Sequence, residues 1–347
     1  KHLDKEELYE NTEQFLKEKA VYHTMLSVAE DVSSGKVDTS DVLDKFEKSC
    51  NINLVTDLGL DLYTNINTLI DDINSVERHI PSKWEWLDNC LGGGFLEAGK
   101  SLYVFAGETN IGKSIFLGNI AHNIAQEGKN VLLVTLEMSE LLYARRICSN
   151  VTKIPMKELV GNTPAIKEAI KDENGKIFIK EFPPATITVN QLKGFIKKFQ
   201  EQGIKLDAIV LDYLNLMHST IGTNSYERIK HVTEQVRAMS YLFECPIISA
   251  TQLNRSGFDQ DNPDLATISE SIGLAATADV IVSIYQNEED RELGIIRLGM
   301  MKNRYGPRGC TQAMRINYST LSIEEADDIE FEDGGDETLN ILAGLAS

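Results

Sequence analysis

Eight consecutive residues constrain this chain more than any other segment. They match the pattern G-x-x-x-x-G-K-[ST] and run Gly107-Glu108-Thr109-Asn110-Ile111-Gly112-Lys113-Ser114. An apolar stretch at 102–106 precedes the pattern, and helix-like apolar spacing follows it over 115–121. A buried strand, a glycine-containing loop and a helix are together the context in which this pattern binds phosphate.

The loop predicts a nucleotide site and gives its residues distinct roles. The glycines let backbone N–H groups face phosphate oxygens, and the helix N-terminus favours an anion. We expect all eight residues to bind ATP or another NTP, with Lys113 on the β- and γ-phosphates and Ser114 on Mg²⁺. The loop does not indicate what NTP hydrolysis is used for.

Charge and composition exclude some classes of protein. The net charge of −19 over 347 residues argues against a broad outer surface that binds nucleic acid. Nine acids and no base lie within 324–337, which predicts a solvated acidic tail or a docking segment. No apolar run is long enough to predict a membrane span. The five cysteines are scattered without a C-x-x-C pair, so we expect a reduced, cytoplasmic compartment.

Two kinds of pattern divide the chain near residue 78. Before it, helical spacing without strand patterning is found at 7–30, 39–46 and 62–76. After it, predicted strands alternate with predicted helices, and 131–134 and 208–211 are continuously apolar, as in central strands of a parallel sheet. Shorter strands are then predicted at 279–285, 294–301 and 313–324. The predicted fold class is α/β, with a mostly parallel sheet and a β-rich C-terminal end.

Two carboxylates are candidates for the chemistry of nucleotide hydrolysis. Asp212 ends an apolar strand, so it is expected at the ligand edge of the sheet, holding Mg²⁺ with Ser114, unless it is an ordinary turn aspartate. Tyr213 follows where a second acid is often found, so another carboxylate has to activate water. Glu137 follows strand 131–136 and would reach the same edge if that strand neighbours the loop strand. Taken alone, Glu137 is better explained as an acid at a helix N-terminus.

Three polar residues at other strand ends complete the candidate catalytic set. Gln252 ends an apolar strand and would sense the γ-phosphate, or else only cap the strand. Lys302 and Arg304 lie at a strand end with one residue between them. They would clamp a phosphoryl group bound to a neighbouring subunit, as an arginine finger does, or else form a solvated basic hairpin.

The ordered set of segments resembles the RecA-like motor domain of DnaB-type hexameric replicative helicases, and phage-encoded members in particular. The resemblance covers 78–324 and rests on Gly107–Ser114, Leu136-Glu137-Met138-Ser139, Leu211-Asp212-Tyr213-Leu214, Gln252-Leu253-Asn254-Arg255 and Lys302-Asn303-Arg304-Tyr305-Gly306. It implies that Glu137 activates water, that Gln252 senses the γ-phosphate and that Lys302 and Arg304 act in trans.

The resemblance also implies a DNA path. Members of the family form a homo-hexamer that moves 5′ to 3′ on single-stranded DNA held in its central channel by two loops of each subunit. Here the loops would be 218–225 and 269–273, which are small and polar, as backbone contacts to phosphate require. The second loop lacks the basic residue of common bacterial members. The expected DNA-binding residues are Thr220, Gly222, Asn224, Glu270, Ser271 and Gly273.

A domain division and partners follow from the same resemblance. Residues 1–35 would be the last helix of a helical N-terminal domain, 36–77 a linker helix region, 78–324 the ATPase domain and 325–347 an acidic tail. A truncated chain would explain the missing initiator Met. Primase and a helicase loader are the expected partners, in the host bacterial cytoplasm if the chain is phage-encoded. Two other functions stay open: a filament-forming RecA-like recombinase or DNA-repair ATPase, and a nucleotide-gated regulatory ATPase.

Overall fold

The structure, a computed structural model, describes residues 5–35, 39–50, 52, 54, 61–73, 77–170, 175–219, 222, 224–253 and 272–326. Thr220, Glu270, Ser271 and the acidic segment after Ala326 therefore lie outside the described residues. The chain divides into two compact units, Lys1–Val76 and Glu77–Ser347.

Helices make up the described part of the first unit. They are α1 (Lys5–Ser33), α2 (Thr39–Cys50) and α3 (Ile66–Ile73). Helix α2 is longer than predicted, because Ser49 in its last turn lies 2.6 Å from Thr24 of α1, hydroxyl to hydroxyl. Helix α3 starts later than predicted, because Asp61 accepts hydrogen bonds from the Tyr63 and Thr64 backbone and forms a turn.

Eleven strands and eight α-helices are described in the second unit. The strands are β1 (His79–Ile80), β2 (Phe95–Leu96), β3 (Leu102–Gly107), β4 (Val131–Thr135), β5 (Ile177–Glu181), β6 (Ala208–Asp212), β7 (Ile247–Gln252), β8 (Val280–Tyr285), β9 (Ile295–Asn303), β10 (Thr311–Asn317) and β11 (Ser322–Glu325). The helices are α4 (Glu85–Cys90), α5 (Lys113–Gln126), α6 (Glu140–Thr152), α7 (Thr163–Ala169), α8 (Val189–Glu201), α9 (Ser225–Phe243), α10 (Ile272–Thr277) and α11 (Glu288–Leu293).

Nine of the strands form one sheet, in the order β11-β10-β9-β8-β3-β7-β6-β4-β5. The six strands from β8 to β5 are parallel, and β9, β10 and β11 continue the sheet antiparallel. The predicted mostly parallel sheet with a β-rich end is confirmed. The prediction of a single strand over 313–324 was wrong: β10 and β11 form a hairpin, because Asn317 Oδ1 accepts hydrogen bonds from the Ser319 and Thr320 backbone and makes a turn.

The sheet is covered by helices on both faces, which explains its continuously apolar strands. Tyr103 and Phe105 of β3 face one hydrophobic core, which contains Phe116 of α5. Val104 faces the other core, which contains Val236 of α9. Residues of β3 therefore alternate between two cores, and the strand is held rigidly between α5 and α9.

The parallel strands give the sheet two chemically different edges. Gly107 pairs with Gln252 and Ile284 at the carboxyl ends of β3, β7 and β8. Asn303 pairs with Val280, at the amino end of β8. The residues that follow β3 and those that follow β9 therefore lie at opposite edges. Within the described part of the chain, no helix is long and apolar enough to cross a membrane.

Candidate nucleotide site

The phosphate loop joins the end of β3 to the start of α5. Gly112 caps α5 with a φ of 104°, and Asn110 has a φ of 65°. Glycine reaches such left-handed conformations without steric strain, which explains the second glycine of the pattern. Ile111 is buried and anchors the middle of the loop. The sequence thus folds the loop into a tight turn at the N-terminus of α5, where the helix favours an anion.

Lys113 is folded back over the loop that carries it. Its Nζ donates hydrogen bonds to the carbonyl oxygens of Gly107, at 3.0 Å, and Glu108, at 2.5 Å. Burial lowers the pKa of Lys113, and the charges of Glu137 and Asp212 act in the opposite direction. A half-buried ammonium beside two carboxylates is placed where it can exchange carbonyl partners for phosphate oxygens.

Asp212 is fully buried at the end of β6. Among the described residues, neither of its carboxylate oxygens has a hydrogen-bond partner. Burial raises the pKa of Asp212 to about 6, the charge of Glu137 adds to the rise, and the nearby hydroxyls of Ser114 and Tyr143 oppose it. A buried carboxylate is costly unless something pairs with it, and oxygen ligands suit Mg²⁺. Asp212 and Ser114 therefore fit a magnesium ion.

Tyr143 ties the start of α5 to α6 and was missed by the sequence reasoning. Its side chain is fully buried, and its hydroxyl donates a 3.0 Å hydrogen bond to the carbonyl oxygen of Ser114. A Cβ at Gly118 would lie 3.4 Å from the Tyr143 ring, so glycine lets the two helices approach. The only sequence signal was an aromatic residue on the buried face of α6.

Glu137 reaches the site by a different route from the one predicted. The sequence argument placed Glu137 at this edge on the condition that β4 neighbours β3. That condition is not met, since β7 and β6 lie between the two strands. Because the strands are parallel, Glu137 nevertheless reaches the same edge, where its charge opposes the lowering of the Lys113 pKa and adds to the rise of the Asp212 pKa. Ser139 caps α6 and Glu140 is the acid of its first turn, so Glu137 lies outside that helix. Glu137 is therefore neither the N-cap of α6 nor part of its first turn.

Thr135 fixes the turn that carries Glu137. Its hydroxyl accepts a 3.0 Å hydrogen bond from the Met138 backbone N–H and donates one of 3.0 Å to the Met138 carbonyl oxygen. Thr135 itself is fully buried and pairs with Asp212 across β4 and β6. Asp212 ends β6 and Glu137 follows the adjacent strand β4, which explains why the charge of Glu137 raises the pKa of Asp212.

Gln252 contacts the phosphate loop directly. Its Nε2 donates a 2.6 Å hydrogen bond to Thr109 Oγ1, and the next residue, Leu253, donates its backbone N–H to the Gly107 carbonyl oxygen at 3.2 Å. The side chain does more than cap β7, because it joins two segments of the candidate site.

Lys302 and Arg304 lie at the opposite edge of the sheet, and the structure does not bring them to the loop. Gly107 and Leu102 are at the two ends of β3, roughly 17 Å apart at about 3.3 Å per residue. Lys302 Nζ donates hydrogen bonds to the carbonyl oxygens of Ala275, Ala276 and Ala278 at the end of α10. Arg304 pairs with Asp279 at 2.9 Å and keeps 62% of its side chain exposed.

The described members of the two predicted DNA loops lie beside the first half of α9. Asn224 caps α9 by accepting a 2.8 Å hydrogen bond from the Glu227 backbone. The Gly222 carbonyl accepts a hydrogen bond from Arg228 Nε at 3.2 Å. A Cβ at Gly273 would come within 2.7 Å of the Lys230 side chain. Gly222, Asn224 and Gly273 are thus brought to one region of the second unit.

The fold and this site define a RecA-like domain with a phosphate-binding loop. Two solved structures are similar to the chain. One is described as an ATPase domain, with a TM-score of 0.66, 20% identity and coverage of 78% of this chain and 100% of that one. The other is "The Structure Of A DnaB-Like Replicative Helicase And Its Interactions With Primase", with a TM-score of 0.65, 18% identity and coverage of 92% and 78%. The predicted RecA-like fold is confirmed.

The model of the DnaB-like helicase C-terminal domain family matches residues 79–321, and the chain belongs to this family. The "DnaB-like replicative helicase" of Enterobacteria phage T4 is 23% identical over 87% of this chain and 68% of its own length. The "Probable replicative DNA helicase" of Trieres chinensis is 28% identical over 61% and 50%. The "Replicative DNA helicase DnaB" of Geobacillus stearothermophilus is 26% identical over 74% and 59%. The chain spans between half and about two thirds of these curated relatives.

Proposed function

We propose that this chain is the motor of a replicative DNA helicase, which couples ATP hydrolysis to 5′-to-3′ translocation on single-stranded DNA and to duplex unwinding. One observation supports it most strongly. The phosphate loop and two carboxylates lie at one edge of a sheet whose opposite edge carries an exposed arginine beside a lysine. Each chain therefore carries both parts of a hydrolysis site, the phosphate loop at one edge and Arg304 at the other, and only contact between neighbouring chains can bring the two parts together. Membership of the DnaB-like helicase family supports the same function.

The residues divide the chemistry of hydrolysis among them. The loop and Lys113 bind the phosphates of ATP, and Ser114 with Asp212 would hold Mg²⁺, which would neutralise charge on the β- and γ-phosphates. Glu137 accepts a proton from the attacking water and aligns it with the γ-phosphorus. Gln252 reports the state of the γ-phosphate through its contact with Thr109. Arg304 of the next subunit would stabilise the charge that develops on the transferred phosphoryl group, and Lys302, whose three donors are held by carbonyl oxygens, would add its positive charge beside it.

A ring explains how an acidic protein binds DNA. With a net charge of −19, the outer surface repels nucleic acid. In a homo-hexamer, the loops that include Gly222, Asn224 and Gly273 would face a central channel and contact phosphates through backbone and small polar groups. Such contacts carry no sequence preference and weaken with salt. Thr220, Glu270 and Ser271 belong to the same proposed surface.

One solved relative is described together with its primase interactions, and we extend primase and a helicase loader to this chain as partners. Residues 1–35 and 36–77 would serve as the end of a helical domain and a linker, 78–324 as the motor and 325–347 as an acidic tail. The expected location is the cytoplasm of a bacterial host.

A forked-duplex assay tests the function. With ATP and Mg²⁺, the protein should displace the strand from a fork with a 5′ single-stranded tail, and a fork with only a 3′ tail should stay intact. ATP turnover without strand displacement from either fork would favour the regulatory ATPase. Electron micrographs with ATP and DNA test the other alternative: closed rings are expected, and extended filaments would favour the recombinase.

A further inference from the structure

Asp279 accepts four hydrogen bonds from three separate parts of the second unit. It directly precedes β8 and is only 2% exposed. Its Oδ2 accepts from the Leu102 backbone N–H, at 3.0 Å, and from Arg237 Nε, at 3.0 Å. Its Oδ1 accepts from Arg237 Nη2, at 2.8 Å, and from Arg304 Nη1, at 2.9 Å. Four donors use about the full capacity of an ionised carboxylate.

The surroundings of Asp279 keep it charged. Burial by itself would raise the pKa of Asp279, but hydrogen bonds from Arg237, the Leu102 backbone and Arg304 together hold that pKa below its ordinary value. Hydrogen bonds that involve a charged group are roughly twice as strong as those between two neutral groups. Asp279 is therefore a fixed anion beneath Arg304.

Backbone contacts make this anion rigid. The Asp279 N–H donates to the Leu102 carbonyl oxygen at 3.0 Å, and the Arg304 N–H donates to the Asp279 carbonyl oxygen at 3.1 Å. Both the main chain and the side chain of Arg304 are thus fastened to one residue. Leu102 is the first residue of β3, so the anchor stands on the strand that carries the phosphate loop at its other end.

Arg304 keeps donors available while it is held. The contact with Asp279 uses one terminal nitrogen of a guanidinium that has five N–H groups. The side chain borders an open cleft of about 940 Å³, lined also by Lys230, Glu234, Arg237, Tyr241 and Lys302. An arginine held by one nitrogen at the rim of a basic cleft can still make a bidentate contact with phosphate.

We propose that Asp279 is the positioning residue for Arg304, holding its guanidinium at the subunit surface where the nucleotide of the next subunit arrives. This inference rests on the proposed in-trans role of Arg304. Without the carboxylate, the long side chain samples many rotamers and has to be ordered anew for each hydrolysis event. The expected loss in turnover is roughly 30-fold, the factor that corresponds to the rotamer entropy of arginine.

A second buried carboxylate supplies a matched control. Asp290 is also 2% exposed and also holds an arginine, because it accepts two hydrogen bonds, from Arg297 Nε at 2.8 Å and from Arg297 Nη2 at 2.9 Å. Asp290→Asn removes a buried charge from a bidentate pair, as Asp279→Asn does, but it does not touch Arg304. Any effect of simply weakening the fold should appear in both variants.

The test is a double-mutant cycle in the full chain, with Asp279→Asn, Arg304→Ala and the two combined. Steady-state ATP turnover is measured with single-stranded DNA, giving kcat and KM, and thermal unfolding is followed for every variant. Asp279→Asn should lower kcat roughly 30-fold with KM little changed, because the nucleotide of each chain is bound by the opposite edge. In the Arg304→Ala background the same change should have no further effect. Asp290→Asn should keep kcat.

Other outcomes would overturn the positioning role of Asp279. A full additional loss from Asp279→Asn in the Arg304→Ala background, or an equal loss of kcat in Asp290→Asn, would show that Asp279 serves only the fold. If Arg304→Ala reduces turnover but Asp279→Asn does not, only the positioning role fails. Near-normal turnover of Arg304→Ala removes the in-trans role and this inference together. Should Asp279→Asn not fold by circular dichroism, Asp279→Glu, which keeps the charge but moves it by one methylene, enters the same cycle.

Discussion

Gln252 at the end of β7 and Thr109 in the phosphate loop are joined by a hydrogen bond of 2.6 Å. Thr109 is part of the segment proposed to surround the phosphates, whereas Gln252 begins the connection toward the second predicted DNA loop. If ATP binding shifts the loop, this direct polar contact would pass the shift to the end of β7.

Gln252→Ala should uncouple nucleotide from DNA. Coupling between two ligands is typically about 5- to 150-fold in affinity, and in this variant ATP should change the affinity for single-stranded DNA very little. This effect of nucleotide on DNA affinity is measured by the fluorescence anisotropy of a labelled oligonucleotide, with and without a slowly hydrolysed ATP analogue. Thr109→Val keeps the shape of the partner but removes its oxygen, so it should show the same loss. Normal coupling in Thr109→Val would mean that Gln252 acts without Thr109.

Glu137→Gln should bind ATP but hydrolyse it slowly. The loop and Lys113 are intact in this variant, whereas removal of a general base lowers rates by about 10²- to 10⁴-fold. Single-turnover hydrolysis and equilibrium binding of a fluorescent nucleotide separate the two effects. Glu140→Gln is the control, because Glu140 forms a surface pair with Lys180 and lies in the first turn of α6. Equal losses in both variants would contradict the assignment of Glu137.

Arg304→Ala should retain nucleotide binding and lose hydrolysis. The phosphate loop of the same chain lies at the other edge of the sheet, so binding does not depend on Arg304, whereas an arginine finger is worth about 10³- to 10⁵-fold in rate. Steady-state turnover and nucleotide binding are compared with those of Arg308→Ala, an exposed arginine four residues away on the same turn. Turnover near that of the unchanged protein would contradict the in-trans role.

Acid should weaken the fold through His122 on α5. Burial, with the charges of Lys83 and Lys153, lowers the pKa of His122 to about 4, from 6.5. The unfolded chain then binds a proton that the folded protein does not, so this contribution is complete above the ordinary pKa and is lost as pH falls toward the folded one. The free energy of unfolding should fall by up to roughly 3 kcal/mol from this residue.

Urea unfolding at several pH values between neutral and about 4.5 measures this slope. In His122→Asn the side chain does not titrate, so the free energy of unfolding should depend less steeply on pH, whatever its value at neutral pH. The same slope in both proteins would show that other groups cause the acid sensitivity.

Local patterns were enough to predict much of the site. Gly107–Ser114 is recognised by its own sequence and flanks, and Asp212 and Glu137 follow apolar runs that end at the ligand edge of a parallel sheet. The order of strands was not readable in the same way. It depends on which buried strands pair across long connections, so the sequence could not decide whether β4 neighbours β3. The two strands are not neighbours, and Glu137 still reaches the predicted edge.

Contacts between distant residues were invisible in the sequence. Arg237 and Asp279 are 42 residues apart, and Tyr143 and Ser114 are 29 apart. A single arginine on a long helix or a tyrosine on its buried face carries no pattern, since each is common in those places for reasons of packing alone. Only the fold shows that Asp279, which pairs with Arg237, also holds the exposed Arg304, and that Tyr143 fixes the start of α5 through Ser114.

The placement of Lys113 and Arg304 at opposite edges of one sheet also restricts the symmetry of any active assembly. If each edge completes the other in a neighbouring chain, the contact is heterologous and must be repeated head to tail, so a two-fold dimer leaves both of its nucleotide sites without an arginine. In a closed ring every nucleotide site has an arginine from a neighbour. In an open chain of subunits, one end has a nucleotide site without an arginine and the other end has an arginine without a nucleotide site. Turnover per subunit should therefore rise with protein concentration until rings close and then stay constant.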